Sequence, residues 1–169
     1  AGRCARPWRA RGWISWPAVR RQRVVSFILK GIGYDRRDMV TVSPDLFKQV
    51  MRRWASTVNV VTTRHEGVVH GLTVTAFSSL AAEPPLVFVS VNKRARTHAM
   101  IDQAGIYAVN FLAPQQRALS DRFAGRMPEA DRFAGVAFGQ GVTGSPIFAD
   151  AIAWLDCRVT ERVSGGDHT

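Results

Sequence analysis

The run from His70 to Thr97, HGLTVTAFSSLAAEPPLVFVSVNKRART, restricts what this chain can fold into more than any other stretch. It holds two β-rich segments, Leu72–Leu80 and Leu86–Val91, built largely from Val, Thr, Phe and Leu. Branched and aromatic residues suit a pleated, half-buried surface and resist the helix. Glu83-Pro84-Pro85 separates the segments, and a proline cannot donate to a sheet ladder. The stretch therefore reads as two strands joined at a break. Small hydroxyl residues recur along it: Thr73, Thr75, Ser78, Ser79 and Ser90. Ser78 and Ser79 are adjacent and so point to opposite faces of a strand, and at least one is expected to meet the interior or a ligand.

The run ends in a basic turn, Asn92–Thr97, ahead of a predicted short helix over 97–103 with Thr97 as cap and Gly105 as stop. One reading of this turn is a solvated basic loop. The other is an anion clamp, in which two arginines, a threonine hydroxyl and a helix N-terminus converge. Backbone groups along Thr75–Ser79 would suit the polar edge of a planar ring. Together they suggest a polar, phosphorylated ligand.

Around this run the chain reads as short strands with a few helices. Ser43-Pro44-Asp45 is a helix start, and Phe47, Val50, Met51 and Trp54 follow as one apolar stripe, expected in the core. Val58–Thr63 is a strand, Arg64–Gly67 its turn, and the partner strand runs from Val68 to Leu80. Gly71 within it marks a bulge or a close backbone approach. Leu86–Val91, apolar throughout, reads as a fully buried strand. Ile106–Leu112 is a further strand. Pro114–Phe123 is a helix, with Leu119 and Phe123 on one side and Ala124-Gly125 closing it. Val136–Asp150, rich in glycine and proline, is expected to be an irregular covering segment. Ile152–Val163 alternates as a half-buried strand, then Gly165-Gly166-Asp167 turns toward His168 and Thr169. A pairing strand is expected after such a turn, so a C-terminal truncation and an unpaired edge are expected here. Five or six mostly antiparallel strands with two or three short helices favour a mainly β, small-barrel fold over a doubly wound sheet.

Charge narrows the function. The formal net charge is +10, but residues 1–38 hold ten Lys/Arg against two Asp/Glu, while 39–169 hold thirteen against eleven. The basicity belongs to the leader, which is expected to be disordered and to precede a natural start at Met39. A nearly neutral domain lacks the footprint of a nucleic-acid binder. No apolar run approaches the ~20 residues of a membrane span. Cys4 and Cys157 make neither a disulfide framework nor a zinc pattern, so a cytoplasmic setting is the default. The four histidines, His65, His70, His98 and His168, are dispersed, and no metal site is expected. His168 alone, on a glycine-rich turn, reads as a solvated loop residue.

The blocks FKQVMRRWASTVNVVTT, GLTVTAFSSLAAEPPLVFVSVNKRARTH, IYAVNFL, LSDRFAG and GDHT, in that order, resemble the flavin reductase-like family, the reductase components of two-component flavin monooxygenases. The resemblance covers Pro44–Thr169. It implies an FMN-binding split β-barrel that forms a homodimer, oxidises NADH or NADPH, reduces FMN or FAD, and passes reduced flavin to a large oxygenase component. The rival is a non-catalytic flavin-binding protein on the same barrel. By position, the resemblance assigns Thr75, Ala76, Phe77, Ser78 and Ser79 to the flavin ring and Ser90, Val91 and Asn92 to the ribityl chain. It assigns Arg96 and Thr97 to the phosphate, Phe123 and Gly125 to the flavin-proximal helix end, and His168 to the nicotinamide. Hydride transfer between stacked rings needs no side-chain acid or base. The chain departs from the family at Ala95, where a serine is usual, and at Thr57, where a glycine is usual.

Overall fold

Strand β1 (Asn59–His65) is buried along its first five residues, which explains how the rest is arranged. The computed structural model describes residues 43–128 and 131–169. Along β1 the pleat sends successive side chains to opposite faces, and both faces are covered. Val61 packs with Val74, Tyr107 and Val109, while Val60 packs with Phe123 and Phe148.

β1 turns into β2 (Val68–Val74) through Glu66 and Gly67, both at positive φ (48° and 80°). His65 pairs with Val68, the two-residue left-handed hairpin that matches strand twist. β5 (Ile106–Phe111) lies on the other side of β1, and β8 (Ala153–Arg158) lies beyond it. The four form an antiparallel sheet in the order β2-β1-β5-β8. β3 (Phe77–Ala82) and β4 (Pro85–Val89) make a separate antiparallel ribbon, and β6 (Phe138–Gln140) and β7 (Pro146–Phe148) a shorter one.

The helices cover the sheet. From α2 (Arg96–Ala104), Ile101 packs on the Val61 cluster together with Phe77 and Val89 of the ribbon. On the other face, α3 (Arg117–Asp121) runs into a wide π-helical turn, Arg122–Arg126, that carries Phe123. The Phe123 ring meets Phe133 edge-on with centroids 5.0 Å apart, and Phe148 at 5.3 Å. Each such buried aromatic contributes about 1.5–3 kcal/mol by area alone. Asn110 ties β7 to the sheet from inside: its Nδ2 donates to the Val60 carbonyl (3.2 Å), and its Oδ1 accepts from the Phe148 N–H (2.8 Å). Burial of that amide is tolerated because both its ends are satisfied.

Several expectations need correction. Among the described residues eight short strands stand where five or six were expected, because the long partner strand breaks at Thr75-Ala76 and the covering segment contains β6 and β7. β4 is not fully buried: Phe88 is 45% exposed, since only one face of the two-stranded ribbon meets the core. Ser78 and Ser79 are both exposed, so neither meets the interior. Gly71 makes a close approach and no bulge. Its register with Thr62 is continuous, and a Cβ there would sit 3.0 Å from the Val61 carbonyl oxygen. α2 begins at Arg96 with Ala95 as N-cap, so Thr97 is a first-turn residue.

Helix α1 (Pro44–Met51) belongs to a separate unit, 1–54, as against 55–169. Its cap is as predicted, with Ser43 Oγ accepting from the Leu46 N–H at 3.3 Å. Its stripe is not core: Phe47, Val50, Met51 and Trp54 are exposed, for among the described residues its unit holds little else to bury them. The expectations for residues 1–38 and Met39 lie outside the described residues.

Candidate functional site

The basic turn is built by its own asparagine. Asn92 Oδ1 accepts from the Arg94 N–H at 2.9 Å, and its carbonyl accepts from the Ala95 N–H at 3.0 Å. This side-chain-mimicked turn is what asparagine favours. It delivers the chain to α2 with Ala95 in the extended geometry of an N-cap (φ −72°, ψ 134°) but with no capping side chain. The positive end of the helix therefore opens without a built-in acceptor, flanked by the exposed Arg94 and Arg96. Thr97 behaves differently. It is fully buried, and its hydroxyl lies 2.7 Å from His70 Nδ1, which pins the first turn of α2 to β2.

The segment assigned to a ring joins this turn through the ribbon. Thr75 and Ala76 are exposed at the break between β2 and β3. The Thr75 carbonyl accepts from the Phe77 N–H, and the Ala76 carbonyl from the Ser90 N–H, each at 3.0 Å. Phe77 is held by an edge-on contact with Phe111, centroids 5.1 Å apart. Ser78 turns its hydroxyl to the Ser79 carbonyl at 3.1 Å. Ser90 leads into Val91, which is buried.

His168 is brought to the same place from the far end of the chain. Val91 and Thr169 exchange both backbone hydrogen bonds at 2.9 Å, and Gly165 and His168 close a tight antiparallel turn. The tail thus finds partners in Val91–Lys93, while β8 stays an edge strand of its sheet. Asn92 Nδ2 approaches Asp167 Oδ2 at 3.4 Å, and His168 Nδ1 donates to Asp167 Oδ1 at 2.7 Å. That hydrogen bond, more than the neighbouring Arg94 charge, holds the Asp167 carboxyl below its ordinary range. The carboxylate accepts only, so a proton sits on Nδ1.

Backbone contacts thus tie Thr75–Ser79, Ser90–Asn92 and His168 to one another, with Val91 and Thr97 buried beneath them. Phe123 and Gly125 differ from these. The Phe123 ring is core, 1% exposed, and Gly125 is exposed at φ 87°, ending the π-helical turn. A groove of about 360 Å³ lies between β4 and the 156–163 stretch, lined by apolar groups such as Leu86, Val89, Ile101 and Val159. Of the assigned residues only Val91 lines it, so the charged turn, not this groove, is the candidate site. Cys157 lies in its wall beside Tyr107. Burial pushes the Cys157 thiol up, and Tyr107 is raised well above the ordinary phenol range for the same reason. The His70–Thr97 contact and the hydrogen bond from Lys93 to Ser164 had no local signal, since each joins segments distant in sequence. Among the described residues no cluster of potential metal ligands occurs.

Comparison with known proteins fits this geometry. The family profile described as "Flavin reductase like domain" matches residues 51–169. FMN reductase (NADH) RutF of Stutzerimonas stutzeri (strain A1501) is 39% identical over 122 residues, covering 72% of this chain and 70% of the relative. The reductase component of a 4-nitrophenol 4-monooxygenase/4-nitrocatechol 2-monooxygenase from Rhodococcus opacus is 41% identical over 122 residues, 72% of this chain. The chain spans 64% of that relative's length. Among solved structures, the NADH:FAD oxidoreductase SgcE6 of Streptomyces globisporus C-1027, in complex with NAD and FAD fragments, superposes with a TM-score of 0.68 at 30% identity. That match covers 76% of this chain and 78% of SgcE6. The antiparallel sheet and ribbons are accordingly those of a split barrel, and the chain belongs to the flavin reductase-like domain family.

Proposed function

We propose that this domain is a flavin reductase that oxidises NADH, reduces FMN and supplies reduced flavin to a monooxygenase component. The observation that carries the reading is the convergence of the uncapped, arginine-flanked start of α2 and the His168 hairpin on one turn, Asn92–Arg96. The residues fit a flavin mononucleotide. With alanine as N-cap, no capping side chain accepts from the first turn of α2, and a phosphate can take that place. The exposed backbone break at Thr75-Ala76 lies one hydrogen bond from Ser90, close enough for one ligand to reach both ends. When bound, the flavin supplies the two-electron acceptor for a hydride from the dihydronicotinamide.

The chain's own part is positioning. Arg94 and Arg96 neutralise the phosphate, and Thr75–Ser79 offers backbone groups to the ring. Phe77, fixed by Phe111, keeps that segment from collapsing. His168, with its proton on Nδ1, presents Nε2 toward the nicotinamide side. FAD and NADPH are the alternatives within this reading, and a cytoplasmic homodimer is its setting. The exposed Leu80 (65%) and Phe88 (45%) of the ribbon support the dimer.

The test is NADH oxidation by the purified chain with and without added FMN. Flavin-dependent turnover is the expected result, and flavin binding without turnover refutes the reading. Arg96→Ala should weaken FMN by about tenfold, the scale of one charge-assisted hydrogen bond, and leave riboflavin nearly unchanged. Equal losses for both flavins would refute the phosphate assignment.

A further inference from the structure

The hairpin that carries His168 has little packing of its own. Ser164, Gly165, Gly166 and Asp167 are all exposed, and Gly165-Gly166 is the most flexible dipeptide available to a turn. Backbone pairs with Val91 and across Gly165–His168 hold its base, and Lys93 adds a side-chain brace. The Lys93 ammonium donates to Ser164 Oγ and to the Gly166 carbonyl, both at 2.7 Å. Its backbone N–H donates to the Asp167 carbonyl at 2.9 Å. The two acceptors of the ammonium flank Gly165, so Lys93 ties the hairpin's entry to its tip. Asp167, located this way, fixes the His168 ring through Oδ1. Arg94 and Arg96 follow within three positions of Lys93, so one turn sets both the phosphate end and the nicotinamide end of the site.

We propose that Lys93 is a positioning residue: it closes the Gly165-Gly166 turn and so orients His168 for the nicotinamide, without itself touching the dinucleotide. The proposal rests on the flavin reductase reading above. A compact ammonium suits this bracing because it directs several donors from one point at acceptors on different segments. Removing the ammonium leaves the turn before Asp167-His168 held by backbone bonds alone, and the cost falls on nicotinamide binding and not on flavin binding.

Lys93→Met keeps the aliphatic stem and removes the donors; Lys93→Arg restores donors and charge. For Lys93→Met we expect KM for NADH to rise about tenfold with kcat within about twofold, the signature of lost uniform binding. FMN affinity should stay at the wild-type level, and Lys93→Arg should recover most of the loss. N-benzyl-dihydronicotinamide, which has no phosphates, should show the same loss. A loss confined to NADH would mean that Lys93 contacts the dinucleotide phosphates, and would overturn the proposal. Long-range nitrogen–proton NMR of the His168 ring gives a readout independent of turnover. The wild type should show one tautomer protonated at Nδ1, and Lys93→Met an average of two. An unchanged ring signal in Lys93→Met overturns the positioning role. A chain that never oxidises NADH refutes the reductase reading by itself, and the ring signal still decides whether Lys93 holds His168.

Discussion

Ala95 offers the most direct test of the anion-binding turn, because one oxygen atom decides it. Ala95 already has the backbone of an N-cap, and the comparison lies within the same chain. Ser43 at the start of α1 has nearly the same angles (φ −61°, ψ 146°) and does accept from its helix. In α2 the His98 N–H is bonded to the Ala95 carbonyl at 2.9 Å, so a hydroxyl at position 95 would look chiefly to the Thr97 N–H. Ala95→Ser is therefore expected to stabilise the domain by roughly 0.5–2 kcal/mol, the usual worth of a capping side chain. For a domain of this size, about 1 kcal/mol raises Tm by roughly 3–6 °C. Urea denaturation should show a later midpoint at an unchanged slope. The same hydroxyl can donate to a phosphate oxygen, so FMN should bind up to about fivefold tighter, close to 1 kcal/mol, with riboflavin unaffected. Unchanged stability together with unchanged FMN affinity would refute the reasoning, since it would mean that the N-terminus of α2 is neither open nor facing the phosphate.

Two further perturbations probe the scaffold beneath the site. Gly71→Ala should destabilise by about 1–3 kcal/mol, because the new methyl meets groups that cannot retreat. These are the backbone oxygen of the central strand at 3.0 Å and the buried Phe123 ring at 3.1 Å, and a melting curve like the wild type's would show that the approach has slack. Cys157 should react slowly with iodoacetamide near about pH 8, because a thiol whose pKa is raised holds less thiolate there. Burial raises it, the Tyr107 contact opposes this, and the Asp156 charge raises it further. The rate should rise with pH and reach that of an ordinary thiol on denaturation in urea, whereas equal native and denatured rates would contradict the burial.

How much could be read from the sequence depended on how local each cause was. The β1–β2 hairpin was legible because a β-branched run and a glycine turn are encoded within a few residues. Gly71 was legible as a close approach, since a glycine in a strand has few other uses. The start of α2 was misplaced by two residues because Ala95 carries no capping signal, and Thr97 looked like the cap only for want of a better one. The burial of β4 was misjudged because a continuous apolar run implies two covered faces only if both covers exist, and Phe88 lacks one. The seating of His168 beside Asn92 was beyond pattern reading, for Asn92 and Asp167 meet across 75 positions of chain.

The hydroxyl-rich run led to the site for a reason that holds only in part. Thr73 donates to the Ser120 carbonyl at 2.6 Å, Thr97 is bound to His70, and Ser78 faces its neighbour's carbonyl. Three of the hydroxyls that suggested a ligand are thus engaged within the protein, joining β2 to α3 and α2 to β2. They make the sheet and its helices rigid where a ligand would bear on them. Recognition then falls to backbone at Thr75-Ala76, to the start of α2 and to the arginines around it. Substituting Thr73 or Thr97 should accordingly cost fold stability before it costs ligand selectivity, whereas Arg96 should do the reverse. A site of this kind depends on a stiff frame that presents main chain and charge, and the hydroxyls belong to that frame.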